Sequence, residues 1–263
     1  MQIPYLEGEI RESFDRWLEE TLARFSPSLT FTEIRKGVQA LSEIYVVERR
    51  EDGRMAARAI DGQGKRAALA TYYAALHFLA VHHALVMLGE ESLGTVRRIH
   101  DLGCGSGASG AAAAMTLGGV ARLVAYDRSG WALDEARQTY RSFGLESHMR
   151  RDELPKAFPQ TNPGDLLCFG WVISELENKQ RLVLLKRLRA AAKRHVPLLI
   201  LEALSTRITP WWADWEDALT ALGVRSEIIR VAIERPYWIQ DMDKAARLDH
   251  QVIGARVLAG PSA

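Results

Sequence analysis

Three glycines alternate with other residues in Asp101-Leu102-Gly103-Cys104-Gly105-Ser106-Gly107. Val96–Leu102 before them reads as a short strand, and Ala108–Leu117 after them as an alanine-rich helix. A strand, a glycine turn and a helix in that order bring backbone amides close to a small ligand. Any Cβ at the turn would stand in the ligand's place. The next strand, Arg122–Tyr126, delivers Asp127 some 20 residues past Gly107. A carboxylate there can accept hydrogen bonds from both hydroxyls of a ribose. A nucleotide-type ligand is expected.

Two ligand classes fit these residues. Gly105-Ser106-Gly107-Ala108-Ser109-Gly110 matches the dinucleotide pattern GxGxxG, which sets a pyrophosphate on a helix N-terminus. An acid directly beside the loop would repel a pyrophosphate and suit a ligand bearing an ammonium and a sulfonium. The full string from Asp101 to Gly107 resembles motif I of class I S-adenosylmethionine-dependent methyltransferases, D/E-x-G-x-G-x-G. The resemblance covers about 93–263. It implies a Rossmann-like, doubly wound α/β fold, S-adenosylmethionine as cofactor, and cofactor contacts at Asp101, Gly103, Gly105, Gly107, Asp127, Asp152 and Trp171. Asp127 then holds the ribose, and Asp152, after a weak strand around Ser147–Arg151, lies where the family often contacts the adenine amine. A nicotinamide oxidoreductase is the rival, but no Tyr-x-x-x-Lys pair supplies its proton relay. Two further strings, Lys65–Tyr73 and Val172-Ile173-Ser174-Glu175-Leu176, are similar to the ribosomal-small-subunit-associated methyltransferase-like family. That resemblance implies a ribosome- or RNA-associated factor. Members linked to mitochondrial ribosomes carry a cysteine cluster, which Cys104 and Cys168 alone cannot form.

Methyl transfer needs alignment above all, and a base only where the nucleophile must first lose a proton. Ligands of open α/β sheets bind at the carboxyl ends of the strands. Trp171, Ser174 and Glu175 follow the fourth strand there, and Glu202 ends the fifth. Glu175 is the candidate to orient or deprotonate an acceptor. Tyr73 and His77, four apart on a preceding helix, share a face that would project a phenol and an imidazole over the cleft. Asn/Asp-Pro-Pro-Tyr is absent from the fourth strand, which disfavours methylation of exocyclic base amines. Trp211, Trp212, Trp215, Tyr237 and Trp238 are either an aromatic pocket or helix-to-sheet glue, and the second is the ordinary use. His77 and His82 lie about 140° apart round a helix, so with His83 they do not make the i, i+4 face of a zinc site. Cys104 is expected to be a small residue that fits its loop.

These side chains need elements to position them. Ile10, Phe14, Trp17, Leu18, Leu22 and Phe25 recur at helical spacing from Glu9 to Phe25, and Pro27 follows. Thr30 and Glu33 have capping-box spacing for a helix burying Ile34, Val38, Leu41 and Tyr45. Arg49–Gly64 reads as a loop, and a third helix runs from about Lys65 to Leu88. After Gly144 stops a helix over Trp131–Phe143, strands are expected at Asp165–Ile173 and Val196–Glu202, around a helix over Asn178–His195. Strands alternating with helices predict a mainly parallel sheet. Thr209-Pro210 reads as an N-cap and first residue of a helix to Leu222. Strands Ser226–Ile233 and Gln251–Ala259, with no regular helix between them, predict an antiparallel edge. The division expected is a helical extension, 1–92, serving either as lid over the site or only as cover for a sheet face, and a cofactor domain, 93–263.

The 263 residues carry 34 basic and 33 acidic side chains, net charge +1. A chain of this length buries a sizeable core without disulfides or metals. Its charge gives no general grip on nucleic acid, which is a possible but unfavoured partner. Met1–Glu7 lacks a basic, then apolar, leader, and Tyr72–Leu88 carries three histidines and falls short of a membrane span. A soluble, cytoplasmic enzyme acting on a small molecule or peptide is expected.

Overall fold

Helix α1, Gly8–Phe25, buries Phe14, Trp17 and Leu18 on the stripe their spacing predicts. Helix α2, Phe31–Ser42, opens with the expected capping box: the Thr30 hydroxyl accepts the Glu33 amide, and the Glu33 carboxylate accepts the Thr30 amide. Helix α3 runs over Gln63–Leu88 with a π-helical turn at Leu69–Tyr73. The computed structural model describes residues 2–44, 60–119 and 122–261. Tyr45 and most of the expected loop Arg49–Gly64 lie outside them.

Helix α3 extends two residues further back than its apolar pattern and is long and apolar enough to cross a membrane by length and composition. Most of it is buried inside the protein, with Phe78, Leu79, Val81 and Ala84 inaccessible. A helix apolar all round is what a core position demands.

The sheet strands are β1 (Arg98–Leu102), β2 (Arg122–Asp127), β3 (Ser147–Arg151), β4 (Asp165–Gly170), β5 (Leu198–Glu202), β6 (Arg225–Ala232) and β7 (Val252–Gly260), in the order β3-β2-β1-β4-β5-β7-β6. Only β7 runs against its neighbours, pairing antiparallel with both β5 and β6. Helices α4 (Ala108–Thr116) and α5 (Gly130–Ser142) share one core with α1–α3, built on Ile99, Leu123, Ala125, Leu166 and Leu199. Helices α6 (Asn178–Ala192) and α7 (Trp212–Thr220) cover the other face, over Leu102, Leu167, Phe169 and Ile200. Alternate residues of each strand thus serve opposite layers. The expected boundary near residue 92 is not a boundary in the packing. Phe78 stacks on Phe143, Trp17 tilts against the same ring, Phe14 packs on both Trp17 and Phe78, and the Trp17 indole donates to Thr139 Oγ1 at 3.2 Å.

Three expectations change. Between β6 and β7 the chain forms helix α8, Tyr237–Ala246, where no helix was expected; it buries Ile239, Met242 and Ala246. Strand β4 ends at Gly170 rather than Ile173, because Trp171 turns to φ +55° and Ile173–Glu175 closes a 3₁₀ turn. Helix α7 starts at Trp212, with the Thr209 hydroxyl turned to the Ser205 carbonyl at 3.1 Å instead of capping it.

Candidate active site

The order reverses between β1 and β4: from β1 the chain moves outward through β2 and β3, then returns to the far side. Diverging connections open a crevice at such a switch point. Here it is a cavity of about 470 Å³, within the range of small-molecule sites. Gly103–Ser106 line it after β1, Asp127 after β2, Asp152 after β3, Trp171, Ser174 and Glu175 after β4, and Glu202 at the end of β5. Tyr73, Leu76 and His77 of α3 complete one wall.

Each Asp127 oxygen takes one backbone amide: Oδ2 accepts from Gly105 at 3.1 Å and Oδ1 from Ser129 at 2.8 Å. The remaining lone pairs of this carboxylate are available to a ligand diol. Burial raises the Asp127 carboxyl above the usual range, opposed by the Ser129 and Gly105 amides. The glycines differ in purpose. A Cβ on Gly103 would meet Val172 at 2.2 Å, and one on Gly107 would meet the Ala136 backbone at 2.9 Å. At Gly105, with φ +51°, a Cβ would meet nothing within 4 Å and would enter the cavity space. Gly105 is the cradle's open position.

Two expected cofactor residues lie elsewhere. Gly107 does not line the cavity; it packs against Ala136 and Tyr140 of α5. Asp101 is buried between α4 and α5, where Oδ2 accepts from the Gly110 amide at 3.1 Å and the Tyr140 hydroxyl at 2.7 Å. Strand alternation explains this: Asp101 points the same way as Ile99, into the helical layer. Burial pushes its carboxyl up to about 6, against the pull of Tyr140 and Gly110. Gly110 is the third residue of α4, so this carboxylate already caps the helix N-terminus.

The His77 imidazole stacks on Trp171, and burial lowers it to about 3. A conjugate acid so weak makes His77 a neutral wall and a feeble base near pH 7. Tyr73 donates its hydroxyl to the Val38 carbonyl at 3.2 Å, tying the wall to α2. Glu202 is buried, with Oε1 accepting the Ser174 amide at 3.0 Å and Oε2 the Ser174 hydroxyl at 2.8 Å; burial raises it to about 7 against these bonds. Burial, then the charges of Asp101 and Asp127, raise the Cys104 thiol well above its ordinary value, so no thiolate forms there.

No protein-family model matches the chain, and no curated protein does. Among solved structures it is similar to the CurJ carbon methyltransferase, over 93% of this chain and 71% of that one, with TM-score 0.50 and 11% identity. It is similar to the plantazolicin methyltransferase BpumL over 88% of this chain and 98% of that one (TM-score 0.42, 12% identity). A SAM-dependent methyltransferase from Aquifex aeolicus aligns with 68% of this chain and 88% of its own (TM-score 0.44, 16% identity). The fold is that of a class I methyltransferase. At such identities the likeness reaches the fold and stops there.

On this class I fold the tryptophan trio belongs to the core. Trp211, Trp212 and Trp215 pack with Leu219 beneath the sheet, and none lines the cavity. Tyr237 is exposed, and Trp238 packs edge-on against Phe31. His82 pairs with Thr116 and His83 with the Tyr5 carbonyl, and no metal-ligand cluster occurs among the described residues. Among the cavity residues that went unnoticed in the sequence is His250, in the loop between α8 and β7.

Proposed function

We propose that the protein is an S-adenosylmethionine-dependent methyltransferase acting on a small molecule or peptide. The observation that carries this is the bond between Asp127 and the Gly105 amide. It joins a carboxylate with free lone pairs to a glycine turn whose open position, Gly105, lines the cavity. Asp127 and Asp152 would hold the nucleoside, and the Gly103–Gly105 backbone the amino-acid part. The bound cofactor supplies an electrophilic methyl group on sulfur; the chain aligns the acceptor with it and keeps water out.

The nicotinamide reading is disfavoured by Asp101. Its carboxylate caps the amide that a pyrophosphate would need at the start of α4 and adds like charge there. A near-neutral chain likewise offers little to RNA. Calorimetry with S-adenosylmethionine, S-adenosylhomocysteine and NAD decides among these. Binding of the two sulfur ligands alone is expected; NAD binding without them would overturn the proposal.

A further inference from the structure

His250 stands at the opposite end of the cavity from Asp127. Along the sheet's upper edge the order is Asp127 on β2, Gly103 on β1, Trp171 on β4, Glu202 on β5 and His250 ahead of β7. At about 4.8 Å per strand, four steps separate the nucleoside end from His250 by roughly 19 Å. The space between is where an acceptor meets a transferable group.

His250 is anchored on one side only. Its Nδ1 lies 2.8 Å from Asp243 Oδ1 and 2.8 Å from the Tyr72 hydroxyl oxygen, and its backbone amide donates to Asp243 Oδ2 at 3.2 Å. Tyr72 donates to the same Asp243 Oδ1 in a short bond, and Arg235 Nη1 donates to Oδ2 at 2.5 Å. Arg235 also approaches Asp249 at 3.9 Å. Asp243 is 1% exposed, whereas the His250 side chain is 33% exposed and lines the cavity. Burial would raise the Asp243 carboxyl, but donors from His250, Tyr72 and Arg235 overcome it and hold it at about 2. It is therefore a fixed acceptor. With the Tyr72 proton directed to Asp243, the imidazole proton must also sit on Nδ1 to use that carboxylate. The lone pair is then on Nε2, which has no hydrogen-bond partner among the described residues.

We propose that His250, positioned by Asp243, is the general base of this site and that its acceptor is a weakly acidic O–H or C–H group. The proposal rests on the methyltransferase reading above and adds the acceptor class. As the acceptor X–H bond breaks, its proton passes to His250 Nε2 and its electron pair enters the new bond to the methyl carbon. The former carbon–sulfur pair stays on sulfur, leaving a neutral thioether, and the imidazolium gains the Asp243 carboxylate as counter-ion. Two neighbouring groups are unsuited to this task. Glu202 has both oxygens engaged by Ser174, and His77 is stacked on Trp171.

The test uses the full chain. Long-range nitrogen-15 NMR of the histidine rings, assigned with His250→Asn, should show His250 protonated on Nδ1 when neutral. Asp243→Asn should move that proton to Nε2, which tests the orienting bond, while the turnover measurements test the role of the base. Wild type is then given S-adenosylmethionine with phenol, acetylacetone or a primary amine as probe acceptors. Phenol or acetylacetone should be methylated, the two results separating O–H from C–H. In His250→Asn, whose amide can still donate to Asp243, turnover should fall about 100-fold or more. Affinity for S-adenosylhomocysteine and melting temperature should hold, and added imidazole should restore rate. An Nε2–H tautomer in wild type, or turnover surviving in His250→Asn, overturns the proposal while leaving the methyltransferase reading intact. If wild type binds S-adenosylmethionine yet methylates neither phenol nor acetylacetone, the acceptor class proposed here is overturned. If wild type binds neither sulfur ligand, the underlying reading fails first.

Discussion

The His77 imidazole lies flat on the Trp171 indole, centroids 4.0 Å apart and planes 4° from parallel. One ring comes from α3, the other from the turn after β4, where Trp171 holds φ +55° and donates its amide to the Leu201 carbonyl at 2.9 Å. A side chain in the left-handed region costs energy that its surroundings must offset, and such residues gather at functional sites. The stack is one such support. It makes α3 both a cover for the sheet and a wall of the cavity.

His77→Phe keeps the ring contact and removes the titration. The unfolded chain binds a proton at this position below about pH 6.5, while folded His77 stays neutral to about 3. Stability is therefore lost as pH falls through that window. His82, lowered to about 4 by burial and by His83, adds a slope of the same sign. Urea unfolding at several pH values from 7 down to 5 should show the variant losing less stability, by up to about 1.4 kcal/mol per pH unit.

Glu202 works in the opposite direction. Unfolded it ionises near 4.5, whereas folded it holds its proton to about 7. Its contribution is present below pH 4.5 and is lost as pH rises through 7. Glu202→Gln should flatten the decline of melting temperature as pH rises from 5 to 7. An unchanged decline would show that another group causes it.

Gly105→Val should abolish binding of S-adenosylhomocysteine in calorimetry, because the branched side chain fills the cavity where nothing opposes a Cβ. Gly103→Ala should fail differently. Its new methyl meets Val172, so melting temperature falls before affinity can be compared. Equal effects at the two sites would contradict the distinct roles assigned to them.

Asp127→Ala removes the partner of the Gly105 and Ser129 amides as well as the ribose acceptor. Cofactor affinity should weaken by roughly 1.5–3 kcal/mol, the scale of hydrogen bonds to a charged group. Ribose hydroxyls bound elsewhere in a complex structure would refute the assignment whatever the affinity.

The nucleoside half of this site was legible because its parts are local. Strand, glycine turn, helix, strand and Asp127 follow one another within 30 residues, 98 to 127, and each declares itself by residue type. The orientation of Asp101 was legible too, had the alternation with Ile99 been followed into the helical layer. The other half was hidden by distance. Tyr72 and Asp243 are 171 positions apart, and no local pattern joins them. Helix α8 was missed because its apolar stripe, Ile239, Met242 and Ala246, is thin among charged neighbours. Without α8 nothing places Asp243 beside His250. The tryptophan trio shows the converse: clustering in sequence told nothing about which layer would take it.

The strand order gives synthesis a particular timetable. Strand β7 is the last to be made, yet it lies between β5 and β6, and β6 joins the sheet through it. Until residues 252–260 leave the ribosome, the β5 edge from Leu198 to Glu202 has no partner on that side. An apolar, unpaired edge invites pairing with another chain. The emerging protein is therefore exposed to aggregation until β7 arrives, and a stall before β7 would strand two elements of the sheet instead of fraying one.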